Sequence, residues 1–380
     1  MSGTQAEKFE RLAADKDKQE KPRRGRRYWV RRAMIDVLIG YVLICLVLFI
    51  FQERFVYQPS TESALAPRDH GFGAQQARAV QTRTSDGVTL NGWQINGGKH
   101  PLPPLPAARG APQAQPAATT ARGTGPFDLS QAPLVGLFFC GNAGNRGDRG
   151  STFALLTSCG ADVVCFDYRG YGDSEGSPDE EGLARDARAA WEFLIQQGAK
   201  PQNIVIHGES LGGAVAVRLA AELCAAGTPP GGLIVQATFT RMKDVAAKHY
   251  WFLPVSLILR QRFPSVERIP GVTCPLLMLH GRRDGIVPFA LGQELYAAAP
   301  AQSSGGVAKR FVELPDCGHN DIGMLNTVEY LDAVGDFYGA LCPALALRKS
   351  SEITPRPPRE KTARPPRPPQ KTGAPPQEKP

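Results

Sequence analysis

Apolar positions along the chain fall into three kinds of pattern, and their order predicts the architecture. Residues 33–51 form an almost unbroken apolar run containing one acid, Asp36, close to the roughly 20 residues a helix needs to cross a bilayer. Further on, short β-branched or aromatic runs at 88–95, 134–140, 161–166, 203–207, 233–237, 275–281 and 309–314 alternate with helical patterns near 151–158, 179–197, 214–225 and 323–340. Nearly continuous apolar strands separated by helices predict a mostly parallel sheet covered on both faces. About 260 residues of this alternation suffice for one doubly wound α/β domain with a large core. Ser177 is expected to cap the 179–197 helix, with Pro178 at its first position and Glu180 completing a capping box.

The remaining segments break the pattern and divide the chain. Residues 98–132 are rich in Pro, Ala and Gly without a period and read as a disordered insertion in a domain spanning 77–343. Residues 240–273 separate two strands and read as a small helical lid, whose aromatics Tyr250, Trp251 and Phe252 are equally suited to an acyl-binding wall or to core. Residues 52–76 read as a linker. Residues 344–380 repeat Arg-Pro-Pro and read as an extended, disordered tail; a solvated tail is favoured over one that binds a partner.

Charge places the chain at a membrane rather than on nucleic acid. The net charge of +8 comes from the flanks: residues 1–33 carry 11 basic and 5 acidic side chains, and 344–380 carry 9 and 3, so the middle is net negative. A mildly acidic core between basic ends does not fit a nucleic-acid domain. The basic stretch 1–32 set against only Arg54 and Arg68 in 52–72 predicts a cytoplasmic N-terminus, an anchor at 33–51 and an extracytoplasmic α/β domain, with lipid contact through the anchor. A signal peptide cut at Ala64-Leu65-Ala66 is the competing reading, disfavoured because Glu53, Arg54 and about a dozen residues intervene.

Five residues carry the first chemical signal. Gly208-Glu209-Ser210-Leu211-Gly212 stands between an apolar strand and a helical run, the context in which a serine is held on a sharp turn, clear of the sheet. Such a serine needs an imidazole to take its proton and a carboxylate to orient that imidazole, in the chain order serine, acid, histidine. Asp284 follows the strand ending His280-Gly281, and His319 follows the strand ending at Leu314. Asp316 and Asp321 stand too near His319 to be its orienting acid. Of the six histidines, His70 and His100 read as solvated, His249 lacks an acid placed to orient it, and His207 and His280 read as packing residues at strand ends. Two backbone donors must meet the developing oxyanion, each contributing about 2.7–4 kcal/mol; Leu211 N–H is one and Asn142 N–H, in the glycine-rich loop after Cys140, is the second. No metal-ligand spacing and no dinucleotide fingerprint appear, so no cofactor is expected. The cysteines read mostly as buried thiols, with a pair among Cys159, Cys224, Cys317 and Cys342 available for oxidation outside the cell.

The segments CGNAGN, FDYRGYGDSEG, GESLGG, HGRRDGIVP and CGHND resemble the α/β-hydrolase superfamily, in particular its Bem-type, serine-aminopeptidase-like branch of membrane-anchored hydrolases. The resemblance runs from about Arg78 to Leu341. It implies an α/β-hydrolase fold, an acyl-enzyme on Ser210 served by His319 and Asp284, and a structural loop at 167–172. That branch usually has histidine where this chain has Cys140, a departure in loop geometry rather than in reaction type. The expected substrate is a small acyl ester or thioester, with peptide cleavage or an inactive envelope scaffold as alternatives.

Overall fold

A computed structural model describes residues 25–97 and 127–345; the expected terminal segment 1–24, most of the insertion and the tail beyond 345 lie outside them. Among the described residues ten strands form: β1 Gln58–Pro59, β2 Ala77–Arg83, β3 Thr89–Ile95, β4 Val135–Phe139, β5 Ala143–Gly144, β6 Asp162–Phe166, β7 Ile204–Glu209, β8 Gly232–Gln236, β9 Leu276–Gly281 and β10 Arg310–Leu314. Nine α-helices accompany them among the described residues: α1 Arg26–Val56, α2 Gly150–Ser158, α3 Glu180–Gln196, α4 Leu211–Ala225, α5 Met242–His249, α6 Val255–Ile258, α7 Ser265–Arg268, α8 Phe289–Ala298 and α9 Thr327–Leu341.

Eight strands make one sheet in the order β10-β9-β8-β7-β4-β6-β3-β2. Every pairing from β10 to β6 is parallel, and the last two, β6 with β3 and β3 with β2, are antiparallel. Strands β4, β6, β8 and β9 are buried at every position and β7 at all but its last residue, Glu209, which is why they read as continuous apolar runs rather than alternating ones. After β4 the chain adds β6 on one side and β7 on the other, so the order reverses between β4 and β7. Ligands gather outside the carboxyl ends of the strands at such a reversal. Both the loop at 140–144 and the Ser210 turn leave the sheet there.

Helix α1 is longer than the 33–51 run, about 46 Å at 1.5 Å per residue, because the arginine-rich flank before it and the QERFV segment after it continue the turn. Its single apolar-run acid lies one turn from Arg32, at 3.9 Å. Only Gln52 and Val56 of the helix are buried.

Three expectations are corrected. Residues 52–76 are no free linker: α1 runs through Val56, β1 pairs in parallel with β5, and Tyr57, Leu65 and Phe72 are buried. Those side chains are too apolar to leave in water and find cover on the domain. The insertion ends earlier than 132, since Leu129 and Ala132 are buried and the Arg78 guanidinium lies 5.1 Å over the Phe127 ring. The cap of α3 is Asp179, not Ser177: its Oδ1 accepts from Gly182 N–H at 2.8 Å, a charge-assisted bond that a neutral hydroxyl two residues earlier does not match. Glu180 instead accepts from Arg262 N–H in the lid at 2.6 Å.

Candidate active site

Ser210 lies between β7 and α4 at φ +54°, ψ −116°. A side-chain-bearing residue in this region costs about 1–3 kcal/mol and persists only where its surroundings over-determine it. Here they do. Its N–H donates to Gln236 O at 2.9 Å, and its carbonyl accepts from Gly213 N–H and from the Thr238 hydroxyl, each at 2.9 Å. The glycines are needed for closeness: a Cβ on Gly208 would lie 2.3 Å from Gly212 O, and one on Gly212 only 2.2 Å from Phe139 O.

The structure brings all three side chains singled out in the sequence together. His319 Nε2 is 3.0 Å from Ser210 Oγ, and its Nδ1 is 2.7 Å from Asp284 Oδ2. With Nδ1–H given to the carboxylate, Nε2 is the free acceptor that a serine hydroxyl requires. Asp284 is buried; its Oδ1 accepts from the N–H groups of Ile286 and Val287 at 2.9 and 2.8 Å. Burial pushes its pKa up, but bonds from His280 and His319, the His319 charge and the Val287 N–H outweigh that, holding the carboxyl well below the usual range.

The loop after β4 crosses close to this serine, since a Cβ on Gly141 would stand 3.6 Å from Ser210 Cβ. Its carbonyls are pinned. Tyr168 Oη donates to Cys140 O at 3.0 Å, Tyr171 Oη to Asn142 O at 2.8 Å, Gln58 N–H to Asn142 O at 2.9 Å, and Arg149 to Ala143 O at 3.2 Å. The Asn142 amide side chain donates to Val56 O at 3.1 Å, tying the loop to the end of α1. Leu211 is the first residue of α4, where backbone N–H groups have no acceptor within the helix. Cys140 is buried with its sulfur 3.6 Å from that of Cys165. All eight cysteines are free thiols, so no pair among Cys159, Cys224, Cys317 and Cys342 is bridged.

The segment at 167–173 supports this loop, as its resemblance implied. Arg146 is buried, bonded through its guanidinium to Asp167 and to Asp173, the latter at 2.7 Å, while its N–H donates to Asp167 at 2.6 Å. Its guanidinium also lies 5.2 Å over the Trp93 ring. Burial opposes its charge, yet the two aspartates raise its pKa above the ordinary value.

Four contributors escaped the sequence reading. Arg149 holds Glu209 at 3.1 Å, Thr238 anchors the serine carbonyl, and Glu209 ties the turn to the loop after β4 through that arginine. His280, expected only to pack, places Nε2 3.0 Å from Val287 O and 3.3 Å from Asp284 Oδ2. Its signal was its position four residues before Asp284 on the same strand-loop unit. His70, expected to be solvated, packs on Trp93 with ring centroids 5.1 Å apart. His249 reaches Ile286 O at 2.8 Å, joining the lid to the Asp284 loop; His100 lies outside the described residues.

A parallel sheet, a strained serine turn at the order reversal and a histidine bridging serine and aspartate define a hydrolase of the α/β type. Residues 137–333 match the Alpha/beta hydrolase family, and the chain belongs to it. It is 36% identical over 316 residues to the uncharacterized protein Rv2307c of Mycobacterium tuberculosis, covering 81% of this chain and 95% of that one. It is also 39% identical over 203 residues to the lysophosphatidylserine lipase ABHD12 of Danio rerio, but those residues are 48% of this chain and span only 52% of the lipase. Among solved structures, the esterase Pf2001 of Pyrococcus furiosus superposes with a TM-score of 0.52 at 19% identity, covering 76% of this chain and 98% of the esterase, a likeness of fold.

Proposed function

We propose that this protein is a membrane-anchored serine hydrolase that cleaves acyl esters of lipid-like substrates through an acyl-enzyme on Ser210. The reading rests chiefly on the continuous contact from Ser210 Oγ through His319 to Asp284. His319 Nε2 takes the hydroxyl proton as Oγ attacks the ester carbonyl, and Asp284 stabilises the imidazolium. The oxyanion falls to the backbone N–H groups of Leu211 and Asn142. Collapse of the tetrahedral intermediate expels the alcohol, which receives the proton from His319. Water, deprotonated by the same nitrogen, then releases the acid and restores the serine.

The choice of ester over amide is supported by the name of the lipases that share 37–39% identity over about half of their length, and by the apolar helix α1 packed beside the lid. The basic count before that helix supports a cytoplasmic N-terminus with the hydrolase domain across the membrane; an alkaline-phosphatase fusion at the C-terminus is then active, and an inactive one reverses the orientation. For the chemistry, a fluorophosphonate probe should label the wild-type protein and not Ser210→Ala. Hydrolysis of lysophospholipids should exceed that of matched acyl thioesters and peptide anilides. Folded wild-type protein that neither labels nor hydrolyses any of them overturns the reading.

A further inference from the structure

We propose that residues 250–259, within the lid, are themselves inserted into the bilayer leaflet nearest the hydrolase domain, lying alongside α1. The inference rests on the reading of α1 as a membrane anchor and adds a second membrane element to it.

Composition comes first. The ten residues YWFLPVSLIL at 250–259 carry no charge, between Lys248 and His249 on one side and Arg260 on the other. Four of their eight large apolar side chains face outward: Trp251 is 83% exposed and Leu257 81%, with Tyr250 and Phe252 above half. An apolar patch of this kind marks an interaction surface.

Geometry names the occupant. At the domain end of α1, Gln52 donates to Ile258 O at 3.2 Å and accepts from Arg260 N–H at 2.6 Å. Lower on the same helix, Tyr41 Oη donates to Phe252 O at 2.8 Å. The segment therefore runs down α1, from the level of Gln52 to that of Tyr41. Tyr41 lies ten residues inside Phe51, the last residue of the apolar run, about 15 Å along the axis at 1.5 Å per residue. A hydrocarbon core is about 30 Å thick, so a helix that spans it carries Phe252 below the surface of the near leaflet. The charges fall at the boundary: Arg260 pairs with Glu53 at 3.4 Å, just past the apolar run, with its guanidinium 5.1 Å over the Phe49 ring.

Most backbone donors of the segment are paired. Hydrocarbon tolerates irregular chain only where its polar groups find internal partners. Leu253 N–H donates to Tyr250 O, Val255 N–H to Leu253 O, Leu257 and Ile258 N–H to Pro254 O, and Leu259 N–H to Val255 O. Tyr41 and Gln52 cover two further carbonyls. The His249 bond to Ile286 O ties this inserted element to the loop bearing Asp284, so an acyl chain in that leaflet lies beside the route to Ser210.

The test uses the full chain in vesicles of phosphatidylcholine, with or without bromine on the acyl chains. The fluorescence difference between wild type and Trp251→Phe isolates Trp251. Brominated lipid should remove most of that difference signal while alkaline carbonate leaves the protein in the vesicles. Retention in carbonate with an unquenched Trp251 overturns the insertion and leaves the anchor standing, as when a second copy of the chain covers the patch. Release by carbonate overturns the anchor and the insertion together.

Discussion

At the carboxyl edge of the sheet, Ser210, Asp284 and His319 are nearly withdrawn from water and each is bonded to named neighbours. Along α1, Trp251 and Leu257 face outward without a protein neighbour to cover them. The two regions are built from opposite materials: polar groups gathered into a buried place, and apolar groups left on a surface. Each arrangement is costly in water unless something compensates, a hydrogen-bond network for the first and a non-aqueous surrounding for the second. The informative residues are therefore buried polar ones at the site and exposed apolar ones on the lid beside α1. Changes at the site should alter chemistry and fold without altering membrane attachment, and changes along the lid should do the reverse.

The largest effect tests that separation directly. Ser210→Ala or His319→Ala should lower turnover by about 10⁶-fold, and Asp284→Asn by about 10⁴-fold through loss of the correct imidazole tautomer. Retention in carbonate-washed membranes should match wild type in all three. Steady-state hydrolysis beside a membrane pelleting assay gives both readings. Residual turnover of Ser210→Ala at a tenth of wild type would place the nucleophile elsewhere.

Next in size is the support beneath the loop after β4. Arg146→Leu removes the charge facing Asp167 and Asp173 and leaves a buried carboxylate without its partner, which should cost about 3–5 kcal/mol of stability, read as a lower urea midpoint in detergent. A lid change such as Leu257→Ser should leave that midpoint within about 0.5 kcal/mol, because nothing on the domain covers the leucine. Equal losses would erase the distinction between the regions.

The same contrast explains what could be read from the chain. The Ser210 turn was legible because its glycines are demanded by backbone contacts to Phe139 and Gly212 themselves, and such needs leave a local pattern. Asp284 and His319 were legible because each follows a strand whose apolar run ends sharply. The segment at 57–76 was not: Tyr57, Leu65 and Phe72 are single apolar residues without a period, and β1 is two residues long. Arg149 and Thr238 look in sequence like ordinary surface residues, and only the approach of α2 and β8 to the serine turn gives them work. The run at 250–259 was visible as apolar, but its own pattern left core and acyl wall equally open, and its place beside α1 depends on Tyr41, more than 200 residues away.

A pH measurement sharpens the site side. His207 is buried on β7 against Phe138, ring centroids 5.0 Å apart, and burial lowers its pKa to about 4 against a small opposing effect of Gln236. Its unfolded value is near 6.5. Between those values the unfolded chain binds a proton that the folded chain refuses, so stability falls as pH falls through this window. From pH 7 to pH 5 the loss should be about 2 kcal/mol, and His207→Leu should remove it. Urea midpoints at the two pH values measure the difference; identical slopes would mean that His207 is hydrated.

The smallest effect probes the seam between α1 and the lid. Arg260 and Glu53 are about half exposed and 3.4 Å apart, and a pair of this kind in water is worth only about 0.2–1 kcal/mol, screened by salt. A double-mutant cycle with Arg260→Gln and Glu53→Gln in detergent should give a coupling in that range, shrinking in high salt. In vesicles the pair sits at the headgroup level under the insertion proposal, where less water reaches it, and the coupling should grow and lose much of its salt dependence. A coupling that stays equally small and equally screened in both media would place this seam in bulk water, and with it the lid outside the leaflet.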